Sequence, residues 1–109
     1  MSTQKEKEYK AFLRSKIWRE FRTKIIKKRG QTCEACGLPT PLRILHCHHA
    51  DYSRFGGREL QKDVFLLCKH CHRLVHKIYN QNLKKDLMLV TIRVIEYMQS
   101  LVAMKALKK

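Results

Sequence analysis

Apolar residues fall into blocks of different period along the chain. Ile17, Trp18, Phe21, Ile25 and Ile26 recur at helical spacing, with Ser15 as a candidate N-cap and Gly30 as a natural stop. The spacing predicts a helix over 15–29. Its other face carries Arg19, Arg22, Lys24, Lys27 and Lys28, either a solvated face or a phosphate-contacting stripe. Arg43 to His46 and its continuation read as a short strand. Residues 51–63 hold Gly56-Gly57 and several charges, so they read as a loop. Val64 to Leu67 is a compact β-prone run, and a helix begins near His72. Leu83, Leu87, Val90, Val94, Met98 and Leu101 mark one stripe of a helix over 83–107, widened by Ile95 and Val102. Such a helix is roughly 37 Å long at 1.5 Å per residue. That is long for a small core, so it either packs on Trp18 and Phe21 or meets a partner, a second copy or another protein. Residues 1–10 are polar and read as a solvated, mobile start.

Size and charge narrow the class. The 109 residues make a single domain, 1–109, whose thin core a structural metal would help. The 24 Lys and Arg against 9 Asp and Glu give a net charge of +15, far above what solubility needs. That excess favours a polyanionic partner, nucleic acid before anionic membrane. The charged start is no signal peptide. The longest uncharged apolar run, Leu87 to Ile92, falls far short of the roughly 20 residues that span a bilayer. The expectation is a cytoplasmic protein with no membrane contact. In that reducing compartment five cysteines argue for metal binding rather than disulfides.

Two constellations carry chemistry. Cys33-x-x-Cys36 and Cys68-x-x-Cys71 offer four thiolates for a closed tetrahedral zinc site, one that contributes folding energy and leaves no open position. A rival assignment, Cys33 and Cys36 with His72 and His76 in a Cys2His2 finger, would strand Cys68 and Cys71. His72 and His76, at i and i+4, form a two-point metal grip on one helix face. His48 would complete a three-histidine site with open coordination positions. Adjacent strand residues point opposite ways, which leaves His49 free to act as a base. Cys47 reads as a small buried hydrophobe. His46 and His70 read as structural or phosphate-facing.

The run Leu45-His-Cys-His48-His49-Ala-Asp-Tyr52, followed by Asp63-Val-Phe-Leu-Leu-Cys68-Lys-His-Cys71-His72-Arg-Leu-Val-His76, resembles the HNH endonucleases. The Ser15-Lys-Ile-Trp18 helix leading into the first cysteine pair is similar to the small phage-type members. The resemblance implies an α+β chain: a ββα-metal finger with a four-cysteine zinc site, flanked by an N-terminal and a long C-terminal helix. It implies that His48, His72 and His76 hold a catalytic divalent metal and that His49 is the general base. The family's middle asparagine falls at Asp63, where it would steady the loop behind His49. The activity implied is metal-dependent hydrolysis of DNA phosphodiesters in a cytoplasm, the host's for a phage-borne chain. Imidazole ligands favour manganese, nickel or cobalt, with magnesium available in the cell. Arg54, Arg58 and Arg73 are candidates for phosphate contacts. The alternatives are a non-catalytic zinc module that binds nucleic acid, and a protein-interaction adaptor built on the 83–107 helix.

Overall fold

The computed structural model describes residues 3–107. Met1 and Ser2, the first residues of the expected mobile start, lie outside them. The elements run α1 (Gln4–Leu13), α2 (Lys16–Arg29), β1 (Leu45–His49), β2 (Val64–Cys68), α3 (Lys69–Gln81) and α4 (Leu87–Leu107). The chain is therefore α+β. Two antiparallel strands pair Leu45 with Cys68 and His49 with Val64, and α3 follows β2 directly.

Local chemistry fixes the helix ends. Ser15 accepts from the Trp18 N–H at 3.2 Å and starts α2, and Gly30, at φ 93°, stops it. Thr3 caps α1 in the same way, through the Glu6 N–H. Helix from Gln4 replaces the expected mobile start. Its end carries Tyr9, Phe12 and Leu13, and Phe12 packs edge-on to Phe55 at 4.8 Å.

The core is two clusters that share β2. Val64 and Leu66 face Trp18, Ile25 and Leu45; Leu67 and Cys68 face Cys33, Cys71, Val75 and Val90. A strand buried on both faces is apolar throughout rather than alternating, which explains the run Val64-Phe-Leu-Leu-Cys68. The first cysteine knuckle docks on the outer edge of β2, where Glu34 N–H donates to Leu66 O at 2.7 Å and the Glu34 carboxylate accepts from Leu66 N–H. Arg29 ties α2 to the same edge through Val64 O at 2.8 Å. Arg22 donates to Leu45 O at 2.8 Å. One member of the basic stripe, Arg22, is thus structural, as is Arg29 just beyond it.

The C-terminal helix differs from expectation in two respects. Residues 83–86 are a turn, with Leu83, Lys84 and Asp86 at φ between 54° and 60°, so helix begins only at Leu87. Leu83 is 79% exposed and fits the apolar stripe by coincidence of spacing. In addition, α4 packs on α3 and the cysteine cluster, not on Trp18 and Phe21, which belong to the other half of the core. Val90, Val94 and Ile95 are buried there, whereas Tyr97, Val102, Met104 and Leu107 are exposed. By length and composition α4 could cross a membrane. Arg93 and Glu96 near its middle and the burial of Val90, Thr91, Val94 and Ile95 against the finger oppose that reading.

Candidate metal centres and nucleic-acid groove

The four knuckle cysteines converge. The Sγ atoms of Cys33, Cys36, Cys68 and Cys71 all lie within 4.8 Å of one another, with Cys36 and Cys68 at 4.0 Å. Sulfurs around a tetrahedral zinc at about 2.3 Å stand roughly 3.8 Å apart, so the set fits a closed structural metal site. Each pair is pre-shaped by its own backbone: Cys36 N–H points at Cys33 Sγ and Cys71 N–H at Cys68 Sγ, both at 3.5 Å. Burial pushes the Cys33 thiol up, but backbone N–H groups around it outweigh that and hold it below its ordinary value. Burial and the neighbouring sulfurs push Cys71 up. His72 and His76 belong to a separate group, so the Cys2His2 assignment does not describe this chain.

The histidines divide at the strand. His48 and His49 are both 2% exposed and point to opposite sides of β1. The ring nitrogens of His48, His72 and His76 fall within 4.8 Å of one another. His72 Nε2 and His76 Nε2 are 3.0 Å apart, the separation of adjacent nitrogens around a metal at about 2.1 Å. His48 Nδ1 is buried and, among the described residues, has no hydrogen-bond partner. The His48 ring packs edge-on to both His72 and His76, with centroids 5.2 and 5.3 Å away, and an unpaired buried nitrogen on such a ring is what a cation would satisfy. Burial, with repulsion from the neighbouring histidines, pushes His48 down to about 3 and His72 to about 4. Both are neutral, the ligand form, at physiological pH.

On the other side, His49 lies between Trp18 and Tyr52, with ring centroids 4.6 and 5.1 Å away and both rings near parallel. Its Nε2 meets Glu59 Oε2 at 2.9 Å, and both side chains are essentially buried. Burial opposes charge on Glu59. The His49 hydrogen bond and the N–H groups of Gly57 and Gly56 nevertheless hold its carboxyl below the ordinary range. An ionised carboxylate only accepts, so Nε2 carries the proton and Nδ1 the lone pair. Glu59, the buried partner of His49, is a candidate site residue that sequence reasoning missed; its one signal is its position two residues after the glycine pair. A cavity of about 270 Å³ runs past His48 and His49 and is lined by Tyr9, Trp18 and Tyr52 among others.

Asp63 is fully buried at the mouth of β2. Its backbone carbonyl accepts from Ala50 N–H at 2.8 Å and Asp51 N–H at 3.3 Å, which anchors the turn just after His49. Its carboxylate takes Arg54 in a two-pronged ion pair, and Arg54 holds it well below the usual carboxylate range. Arg54 also reaches Asp51 at 3.3 Å. The guanidinium predicted to contact phosphate is thus engaged within the protein. Arg54 thus balances the charge of a carboxylate buried behind the His49 turn.

Arg73 does line an open groove of about 840 Å³ beside His72 and His76. Arg43, Lys69 and Lys77 line it too, and no carboxylate does. Arg58 is exposed on the glycine loop, apart from these lining residues. His46 stacks on His72 at 4.4 Å at the rim. Cys47 packs against the Trp18 cluster, and burial pushes its thiol up to about 12.

Comparison with known proteins agrees with this geometry. Residues 33–77, the segment from the first knuckle through both strands and the last histidine of α3, match the family model described as HNH endonuclease. No curated protein and no solved structure matches the chain. The strand pair, the four cysteines and most of the following helix fall within this segment, which covers 45 of the 109 residues and is what the chain shares with the HNH endonuclease family model.

Proposed function

We propose that the chain is a metal-dependent DNA endonuclease that hydrolyses phosphodiester bonds at the histidine centre, with zinc in the cysteine site as a structural element. The observation that carries the reading is the pairing of three neutral, convergent imidazoles with a fourth, His49, held on the opposite side of the same strand by a buried carboxylate. His48, His72 and His76 would hold a divalent cation, with manganese, nickel or cobalt better matched to imidazole than magnesium. When bound, that cation supplies charge stabilisation to the phosphate and the departing oxygen.

The remaining work falls to the chain. Glu59 accepts a hydrogen bond from the Nε2–H of His49, so Nδ1 is the nitrogen that takes a proton from the attacking water. As His49 becomes positive, the Glu59 charge stabilises it, and the Trp18 and Tyr52 faces keep the ring from swinging. Asp63 fixes the turn that follows His49, with Arg54 neutralising it. Arg43, Lys69, Arg73 and Lys77 bind the flanking phosphates along the groove. Arg58 is the exposed cation of the glycine loop and completes the contacts from that side. A reducing cytoplasm, the host's for a phage-borne chain, suits five free cysteines.

The test is incubation of the zinc-loaded protein with supercoiled plasmid and Mn²⁺. Wild type should nick or linearise the plasmid. His49→Ala should keep its fold and its metals and lose about 10²–10⁴-fold in rate. Plasmid left intact by wild type would favour a non-catalytic zinc module that binds nucleic acid, and undiminished cleavage by His49→Ala would move the base elsewhere.

A further inference from the structure

Thr91 is fully buried in the second turn of α4, on the face that it shares with Val90, Val94 and Ile95 and that packs on the finger. It lies outside the 33–77 segment that matches the family. A hydroxyl in an apolar stripe costs free energy unless both its proton and its lone pairs find partners. Thr91 Oγ1 has two neighbours: Leu87 O at 2.7 Å and His48 Nε2 at 2.9 Å.

The proton count leaves one arrangement. A hydroxyl has a single hydrogen to give, and a carbonyl has none. Two oxygens 2.7 Å apart need a hydrogen between them, and only Thr91 can provide it. The hydroxyl therefore donates to Leu87 O, and towards His48 it can only accept. His48 must carry its proton on Nε2. The nitrogen left for the metal cluster is Nδ1, the buried atom without a partner.

We propose that Thr91 is a positioning residue for the histidine centre: it holds His48 in the tautomer and orientation that present the Nδ1 lone pair to the metal, and so makes α4 part of the site. The proposal rests on the three-histidine reading of the centre. Metal-binding histidines generally donate their other ring N–H to such an oxygen, which fixes the tautomer and strengthens the ligand. Here the oxygen comes from a different helix than His72 and His76. The centre is thus assembled from β1, α3 and, one shell out, α4.

Two measurements test this on the zinc-loaded, full-length chain. Long-range ¹⁵N–¹H correlation before the second metal is added should show His48 protonated at Nε2. A signal from the Nδ1–H tautomer would overturn the assignment without reference to any metal. Titration calorimetry with Ni²⁺ should then show a second site that Thr91→Val weakens by about 10–100-fold. Thr91→Ser, which keeps the hydroxyl, should bind within a few-fold of wild type. Thr91→Ala, which differs from the serine variant only by that oxygen, should bind as weakly as the valine variant, a comparison that survives if valine disturbs the packing. A second Ni²⁺ bound equally by all four proteins would overturn the role of Thr91 and leave the three-histidine reading intact. No second Ni²⁺ in wild type would overturn that reading, and the Thr91 proposal with it.

Discussion

The cysteine and histidine centres sit back to back on one helix, and their requirements are opposite. Cys71 and His72 are neighbours at the start of α3, about 100° apart around its axis. Cys71 turns into the Val75–Val90 cluster with three other sulfurs; His72 turns to the cationic groove. The cysteine set is closed, interior and shaped by its own backbone N–H groups. The histidine set is open on one side and keeps an unpaired nitrogen inside the fold. The first arrangement suits a cation that holds the chain together, the second one that must meet a substrate. A single turn of helix separates these tasks because consecutive side chains leave it in different directions.

Removing one ligand from each centre should break the symmetry most. Cys71→Ser should abolish cooperative unfolding. A structural zinc supplies about 10 kcal/mol or more of apparent folding free energy, comparable to the whole stability of a domain this size. His72→Ala should keep a cooperative transition and the bound zinc. Calorimetry with zinc analysis decides between them, and a Cys71→Ser protein that melts like wild type would end the distinction.

Acid should act on the histidine side with a definite sign. His48 and His72 titrate near 3 and 4 in the fold, against about 6.5 in an unfolded chain. Below pH 6.5 the unfolded state binds more protons, so the stability these two histidines contribute falls as pH drops from about 6.5, the His72 share being lost by about 4 and the His48 share by about 3. Denaturant unfolding of His72→Gln across this window should show a shallower slope than wild type, by up to about 1.4 kcal/mol per pH unit. Equal slopes would mean that His72 takes up its proton freely in the folded chain.

The smallest effect should come from the ion pair behind His49. Arg54→Met leaves the buried Asp63 carboxylate without its cation, while the Leu60 N–H at 2.8 Å remains. Arg54 is partly exposed, so the loss should be moderate, a Tm drop of roughly 5–10 °C by differential scanning calorimetry. Adding Asp63→Asn should restore most of it. Failure of the double variant to recover would show that Arg54 serves the loop by some route other than balancing Asp63.

Legibility in the sequence followed the range of the interaction. Cysteine pairs at two-residue spacing and His72/His76 at four announce their geometry because local backbone sets it. β2 was legible as an unbroken apolar run. Other features depend on partners the local pattern does not name. Arg54 looked like any exposed cation because Asp63, nine residues on, meets it only after the glycine loop turns back. The first helix is polar along most of its length, and its aromatic end makes sense only against Phe55. Leu83 extended an apolar period into a turn that the period could not register. Thr91 left the faintest trace: one polar residue on the buried face of an apolar helix, whose hydroxyl can donate to its own helix at Leu87 O, so that nothing in the local pattern points to His48.

The fifth cysteine has a practical consequence. With its thiol titrating at about 12, Cys47 offers almost no thiolate at pH 8, and thiolate is the form that alkylating and disulfide reagents attack. The other four sulfurs are shielded from those reagents while a metal holds them. The folded, loaded protein should therefore be nearly silent to a colorimetric thiol reagent, and each molecule that gives up its zinc and unfolds should release five equivalents of colour, the four knuckle thiols and the newly uncovered Cys47. The chain carries its own stoichiometric dye assay for metal loss, with no engineered label.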